Sequence, residues 1–243
     1  MDYSFLQCGE GALTVHLGDG IDPAINRRVT ALQGAIGSAG LRGIIDLIPA
    51  YADLTVCYDC TVISAKALQR QLRRLRDSRS VAGQDRRRVF RLPVCYGGDY
   101  GPDLDFVCHH SWLYAQEVIA LHSAPDYLIY MLGFLPGFAY LGGLDPRLHT
   151  PRLDSPRTCI PAGSVGIGGA QTGVYPLASP GGWQLLGRTP VSVFDRQRQE
   201  PILYRAGDLV HFVPISPAEY EEIARAVAAG TYTVQVEEVP VCD

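Results

Sequence analysis

Lysine is almost absent from this chain: Lys66 is the only one, and every other basic residue is arginine. The phosphate-binding loop G-x-x-x-x-G-K-[ST] needs a lysine to reach the phosphates, and no glycine-rich stretch here supplies it, so that loop is excluded. Schiff-base chemistry would rest on Lys66 alone, which falls on the outward side of a helical pattern. No run of about 18 apolar residues occurs, which excludes a transmembrane helix. The first residues, MDYSFLQCGEG, carry no basic segment ahead of an apolar core. They do not read as a secretory signal, and a cytoplasmic chain with no membrane contact is the expectation. A net charge of −4 argues against general attraction to nucleic acid. The seven cysteines are odd in number and are expected to be reduced. Cys57 and Cys60 have C-x-x-C spacing, but no second ligand pair accompanies them, so no metal site is expected.

Charge is missing locally as well. Between Arg157 and Arg188 there is no Asp, Glu, Lys, Arg or His, although charged residues make up 19% of the chain. Eight glycines fall between Gly163 and Gly187, with Pro161, Pro176 and Pro180 among them. Each interior glycine costs a helix about 1 kcal/mol relative to alanine, so this stretch is not a long helix. Two readings stand: buried barrel strands joined by glycine turns, or the uncharged wall of a small-molecule pocket with Ser164, Gln171, Thr172, Tyr175, Ser179, Trp183 and Gln184 as its polar groups.

The rest of the chain divides by texture. Ala12–Leu17 reads as a strand, Asp22-Pro23 as a helix start, and Ile25, Val29, Leu32 and Ile36 as the inward face of a helix stopped by Gly37 and Gly40. Strands over 43–48 and 54–58 follow, then a helix with Leu68, Leu72 and Leu75 inward and arginines outward. With a closing strand near Val89–Val94, the order predicts a ferredoxin-like α+β layer over residues 1–86. The polar run 77–88 reads as the boundary, and residues 87–243 as a β-barrel domain holding the pocket. In that part, residues 104–121 read as two short helices broken near Ser111, with His109, His110 and His122 as surface or capping residues. Residues 191–194, 202–204, 209–213 and 231–239 read as further strands, and Ser216 to Glu219 as a capping box opening a helix.

Three chemistries fit the uncharged stretch unequally. A serine triad of Ser164, Asp195 or Asp208, and His211 has a familiar chain order, but the glycines after Ser164 leave no helix for the strand–turn–helix elbow. Backbone N–H groups over 163–173 could cradle an anion, with Arg157 or Arg188 adding charge. A carboxylate or amide site fits best: Gln171, Thr172 and Tyr175 offer donors and acceptors, and Arg188 a fork for a carboxylate.

Residues 130–145 (YMLGFLPGFAYLGGLD), Thr150-Pro151-Arg152, residues 161–167 (PAGSVGI), Gln171-Thr172-Gly173, Tyr175-Pro176, residues 179–183 (SPGGW) and residues 187–190 (GRTP) together carry a family signature. It resembles that of the B subunits of bacterial 5-oxoprolinases, a family also called the KipI or allophanate hydrolase subunit 1 family. The resemblance implies a ferredoxin-like amino-terminal domain and a cyclophilin-like β-barrel. It implies ATP-dependent opening of 5-oxoproline to glutamate, with ATP and Mg expected at a complex with the C and A subunits of the enzyme. A histidine kinase is the partner implied by the KipI name, and urea or allophanate metabolism is the alternative substrate class. Carried over by motif, the substrate site comprises Phe134, Pro136, Gly137, Ser164, Gln171, Thr172, Gly173, Tyr175, Trp183 and Arg188. Cys159, Ala170, Leu128 and Asp46 depart from the residues usual in the family and bear on substrate choice more than on fold.

Overall fold

The computed structural model describes residues 4–75 and 86–240. By its internal contacts the chain forms two compact units, Met1–Asp85 and Arg86–Asp243. The polar run expected as a boundary lies mostly outside the described residues, and its last three, Arg86–Arg88, begin a strand.

In the first unit the order is β1 (Ser4–Cys8), β2 (Ala12–His16), α1 (Pro23–Ala39), β3 (Ile44–Pro49), β4 (Asp53–Tyr58) and α2 (Ala65–Leu75). The four strands form one antiparallel sheet in the order β1-β2-β4-β3. Alternation buries Leu13 and Val15 of β2 and Leu54 and Val56 of β4 against Val29, Leu32 and Ile36 of α1 and Leu68 and Leu72 of α2. Both helices therefore cover one face. Asp22 caps α1 as expected, accepting a hydrogen bond from Ala24 N at 2.6 Å. The helix runs through Gly37 and stops only at Gly40, where φ is 55°. A glycine that keeps α-helical dihedrals weakens a helix without ending it.

The expected closing strand over Val89–Val94 does not belong to this sheet. The place beside β2 is taken by β1, ahead of it in the chain. Residues 89–94 instead lie in β5 (Arg86–Tyr96) of the second unit, paired in parallel with a strand about 120 positions later. The ferredoxin-like order read from sequence is corrected to that extent.

The second unit continues with α3 (Leu104–Ser111), α4 (Ala115–Ser123), β6 (Asp126–Leu132), β7 (Ala139–Gly142), β8 (Arg157–Ile160), β9 (Ser164–Gly168) and β10 (Gln171–Val174). It ends with β11 (Ser179–Gly181), β12 (Gln184–Arg188), β13 (Leu209–Ile215), α5 (Pro217–Ala228) and β14 (Gln235–Pro240). Seven strands, β12-β9-β10-β7-β6-β13-β5, close into a barrel when β5 meets β12 through Gly187 opposite Tyr96 and Arg188 opposite Cys95. Strand β14 pairs with the other end of β5, outside the ring. Leu92, Ile129, Leu141, Val165, Ile167, Leu186 and Phe212 fill the barrel, and Leu104, Val107 and Val118 of α3 and α4 join the same core.

The break near Ser111 and the capping box at Ser216 are both present. Glu219 N donates to Ser216 Oγ at 3.3 Å, and Ser216 N donates to Glu219 Oε2 at 2.7 Å. Residues 191–194 and 202–204 are not strands but meet in one bridge, Phe194 opposite Ile202. Val191 and Val193 are buried there, so the alternation reflected packing without a ladder. The last strand starts at Gln235, because Tyr232 and Val234 pack against the core as irregular chain.

Candidate functional site

The uncharged stretch supplies β9, β10 and β12, neighbours in the barrel wall. Val165, Ile167, Val174 and Leu186 face inward, so Gly166, Gly168 and Gly173 face outward. Onto this bare outer surface lies the indole of Trp183. A Cβ on Gly168 would touch its Nε1 and come within 2.5 Å of Cδ1, and one on Gly173 would come within 3.1 Å of Cζ3. Phe138 and Tyr175 stand edge-on to the indole, with centroids 5.4 and 6.1 Å away, and Phe134 and Tyr140 extend the cluster past Phe138. The glycines thus exist to seat an aromatic side chain, which sequence left undecided between turn-making and pocket-lining.

Of the ten residues expected at the site, Phe134, Gly173, Tyr175 and Trp183 come together in this cluster. Trp183 is only 4% exposed, and burial holds the Tyr175 phenol above its ordinary pKa, so it stays neutral. Phe134 is 63% exposed and has φ of 67°, a left-handed conformation that costs a bulky residue about 1–3 kcal/mol. Pro136 is exposed beside it, while Gly137 is buried, its carbonyl accepting a hydrogen bond from Tyr204 Oη at 3.0 Å.

Gln171 and Arg188 are separated. Gln171 sits opposite Gly168 at one end of β9, and Arg188 opposite Ser164 at the other, on the order of 13 Å along the strand. Arg188 Nε donates to Ala162 O at 2.9 Å, and the buried Ser164 gives its carbonyl to Tyr175 N. Gln171, Thr172, Tyr175 and Arg188 therefore do not surround one small guest, and that arrangement is corrected. The cation over the wall is Arg152, its Cζ 5.9 Å from the Trp183 ring centroid. Among the described residues no carboxylate pairs with Arg152. Its place in the Thr150-Pro151-Arg152 motif was the available signal.

Thr172 points the other way, into the barrel. Its hydroxyl donates to Gly166 O at 3.0 Å, so it can only accept from His122 Nε2 at 2.8 Å. That fixes the tautomer, and His122 Nδ1 then accepts from Tyr96 Oη at 2.8 Å. His122 is wholly buried, stacked on Phe212 at 4.8 Å, and burial pulls its pKa down to about 3. The expectation of a surface histidine is corrected: it lies one turn after buried Val118 on the inward face of α4.

The other chemistries fail on geometry. His211 Nδ1 bonds Asp126 at 2.8 Å, and Asp208 holds Arg88 at 2.6 and 3.1 Å, so neither reaches Ser164. The backbone of 163–174 is committed to the β9–β10 ladder, with Gly163 N donating to Tyr175 O and Gly169 N to Thr150 O, which leaves no anion nest. Arg157 is bound to Asp103 at 2.7 Å, and the other oxygen of Asp103 accepts from Leu185 N at 2.7 Å. This clamp fixes the loop before α3 beside Trp183. Among the described residues no three His, Cys, Asp or Glu side chains converge to hold a metal ion.

Comparison with known proteins follows the same lines. The carboxyltransferase domain family, subdomains C and D, matches residues 3–204. The B subunit of 5-oxoprolinase from Bacillus subtilis is 42% identical over 90% of this chain and 95% of its own length. That of Escherichia coli O157:H7 is 44% identical over 85% and 93%. Among solved structures, TTHA0988 superposes with a TM-score of 0.74 at 40% identity, covering 84% of this chain; the chain spans only 40% of that protein's length. The urea carboxylase of Kluyveromyces lactis shares the fold at a TM-score of 0.83 and 23% identity, with 98% of this chain matching 24% of that one. By sequence over most of its length, the chain belongs to the carboxyltransferase subdomain C and D family, in the group of 5-oxoprolinase B subunits.

Proposed function

We propose that this chain is the B subunit of a 5-oxoprolinase, which opens 5-oxoproline to glutamate together with the A and C subunits, driven by ATP hydrolysis. The observation that carries the reading is the near end-to-end match with two bacterial B subunits, at 42% and 44% identity. Urea amidolyase of Lachancea kluyveri matches at 27%, over 14% of its length, and supports the allophanate reading less. We read the two units as the family's ferredoxin-like layer, with β1 in place of the closing strand, and its cyclophilin-like barrel.

The wall around Trp183 is packed and carries no acid–base couple. Opening an unreactive lactam needs phosphoryl activation of its carbonyl, and the wall around Trp183 offers no charged donors for that step beyond Arg152. Partner subunits supply them, and the rim of exposed Phe134, Pro136 and Arg152 with half-buried Gln171 is the part of the wall left to face a shared substrate. The reading places the chain in the cytoplasm, and on its own it is expected to be inactive. The test is 5-oxoproline-dependent ATP hydrolysis by the chain alone, with the C subunit, and with both the A and C subunits. Turnover only in the mixtures supports the reading. Full turnover by the lone chain, or inhibition of a histidine kinase with no 5-oxoproline activity in any mixture, refutes it.

A further inference from the structure

Two polar side chains on the Trp183 wall, Arg152 and Gln171, have no hydrogen-bond partner among the described residues. The backbone around Arg152 is nonetheless pinned on both sides. Gln184 Nε2 donates to Pro151 O at 3.1 Å, Leu153 N donates to Gly182 O at 2.7 Å, and Thr150 and Gly169 exchange two backbone hydrogen bonds. The guanidinium so positioned lies over the indole, with Cζ 5.9 Å from the ring centroid. Elsewhere in this unit Arg88, Arg91, Arg147 and Arg157 each meet a carboxylate at 2.6–2.7 Å. Arg152 is held by an aromatic ring instead, which leaves all its N–H donors free. Gln171 precedes Thr172, whose side chain enters the barrel, so its own carboxamide stands on the outer face. It is half-buried there, across from Gly168 and the Nε1 edge of the same indole.

Together these groups suit one kind of ligand. A small lactam holds its amide cis, so its N–H and C=O lie on one edge, and a carboxamide can meet both at once. A carboxylate on the same ring takes the fork of a guanidinium in two parallel bonds. The other ring carbons are apolar, and the indole offers them a flat apolar floor. A phosphate fits less well, because it asks for several donors. The backbone N–H groups of the wall are spent in the β9–β10 ladder, Arg157 is bound to Asp103, and Arg188 lies at the far end of β9 on Ala162 O. Neither a guanidinium nor a carboxamide gives up or takes a proton near neutral pH, so the two hold and orient the substrate while the partner subunits act on its carbonyl.

We propose that Arg152 holds the carboxylate of 5-oxoproline and Gln171 its ring amide, with the lactam lying against Trp183. The inference rests on the reading of this chain as a B subunit. The carboxylate does not react, so Arg152 acts equally on the ground and transition states, and its loss appears in KM. The experiment is steady-state turnover of 5-oxoproline and ATP by the assembled A, B and C subunits, with inhibition by 2-pyrrolidinone, the same lactam without its carboxylate. Arg152→Gln is expected to raise KM for 5-oxoproline about tenfold to a hundredfold, with kcat within about twofold of wild type. Arg152→Lys should recover part of that loss, and neither variant should change Ki for 2-pyrrolidinone or KM for ATP. Gln171→Leu should raise KM for 5-oxoproline and Ki for 2-pyrrolidinone together, by about fivefold or more. Arg196→Gln, at an exposed arginine in the loop after Phe194, is the charge control and should leave all these constants at wild-type values. Unchanged Trp183 emission in each variant separates ligand contact from damage to the wall. If Arg152→Gln disturbs that emission, Arg152→Lys carries the test, since it keeps the charge and loses the fork. Unchanged KM for 5-oxoproline, or a fall in kcat alone, overturns the anchor while the B-subunit reading stands. A rise in KM for ATP instead assigns the guanidinium to a phosphate and likewise overturns it. No 5-oxoproline turnover by any wild-type mixture refutes the B-subunit reading, and this assignment with it.

Discussion

Gly168→Ala tests whether the glycines of the barrel wall exist for Trp183. Gly168 has no positive φ, so alanine is compatible with its backbone, and the narrower unfolded ensemble alone should stabilise by about 0.4–1 kcal/mol. The new methyl, however, meets Trp183 Cδ1 at 2.5 Å and Cε2 at 2.7 Å, against ordinary contact at 3.4–4 Å. The indole must retreat by about 1 Å, yet Phe138 and Tyr175 stand against its edges and Arg152 lies over it. Overpacking of this kind costs about 1–3 kcal/mol, so the net effect is a loss of about 1–2 kcal/mol. For a unit of this size the melting midpoint should fall by roughly 2–8 °C. The chain has only two tryptophans, so a Trp112→Phe background leaves Trp183 as sole reporter, and its emission should move to longer wavelength as water reaches the ring. Gly133→Ala, whose Cβ meets Tyr140 at 3.7 Å, is the control and should stay within about 0.5 kcal/mol of wild type. Unchanged midpoint and emission in Gly168→Ala would show that the glycines serve some other purpose.

Asp103→Ala leaves Arg157 and Leu185 N–H without their acceptor, and should cost about 2–3 kcal/mol in urea unfolding; a loss below about 0.5 would mean the clamp is idle. Thr172→Val removes the acceptor of His122 Nε2–H and the donor to Gly166 O, with an expected loss of about 1–3 kcal/mol that Thr172→Ser restores. His122 titrates at about 3 when folded, against 6.5 ordinarily, because burial penalises the imidazolium. The unfolded chain therefore binds a proton that the folded chain refuses, and stability falls as pH drops from 6.5 toward 3, by at most about 1.4 kcal/mol per unit. His16, raised chiefly by its hydrogen bond to Asp53, has the opposite sign: its contribution is present below pH 6.5 and fades as pH rises. Urea melts of wild type and His122→Gln between pH 5 and 7 isolate the His122 slope, and equal slopes in the two would refute it.

What could be read from residues alone was local. The Asp22-Pro23 start of α1, the Ser216–Glu219 capping box and the break at Ser111 are decided by neighbours within one turn. Pairing across long stretches of chain was not legible. Residues 89–94 look equally apt for either unit until β13 is available beside them, and β1 offers only one good turn signal after it. His122 meets Thr172 fifty positions away, so nothing near it announces burial. The glycine-rich wall was visible as composition, but its reason is a side chain delivered from the turn just ahead of the adjacent strand β12. The family signature falls on this stretch of wall and leaves open which of its polar groups face outward.

The barrel is fastened very unevenly around its circumference. Seven residue pairs join β5 to β13, whereas only two join β5 to β12. That narrow seam is drawn tight by glycine against backbone: a Cβ on Gly187 would come within 2.6 Å of Cys95 O, and one on Gly101 would overlap Leu186 O. A seam this short is an early place for solvent to enter, so amide deuteration at Tyr96 and Gly187 should outpace that of the β5–β13 ladder. Because Tyr96 also holds His122, loosening that seam slackens the buried relay behind the Trp183 wall, coupling the mouth of the cylinder to its far side.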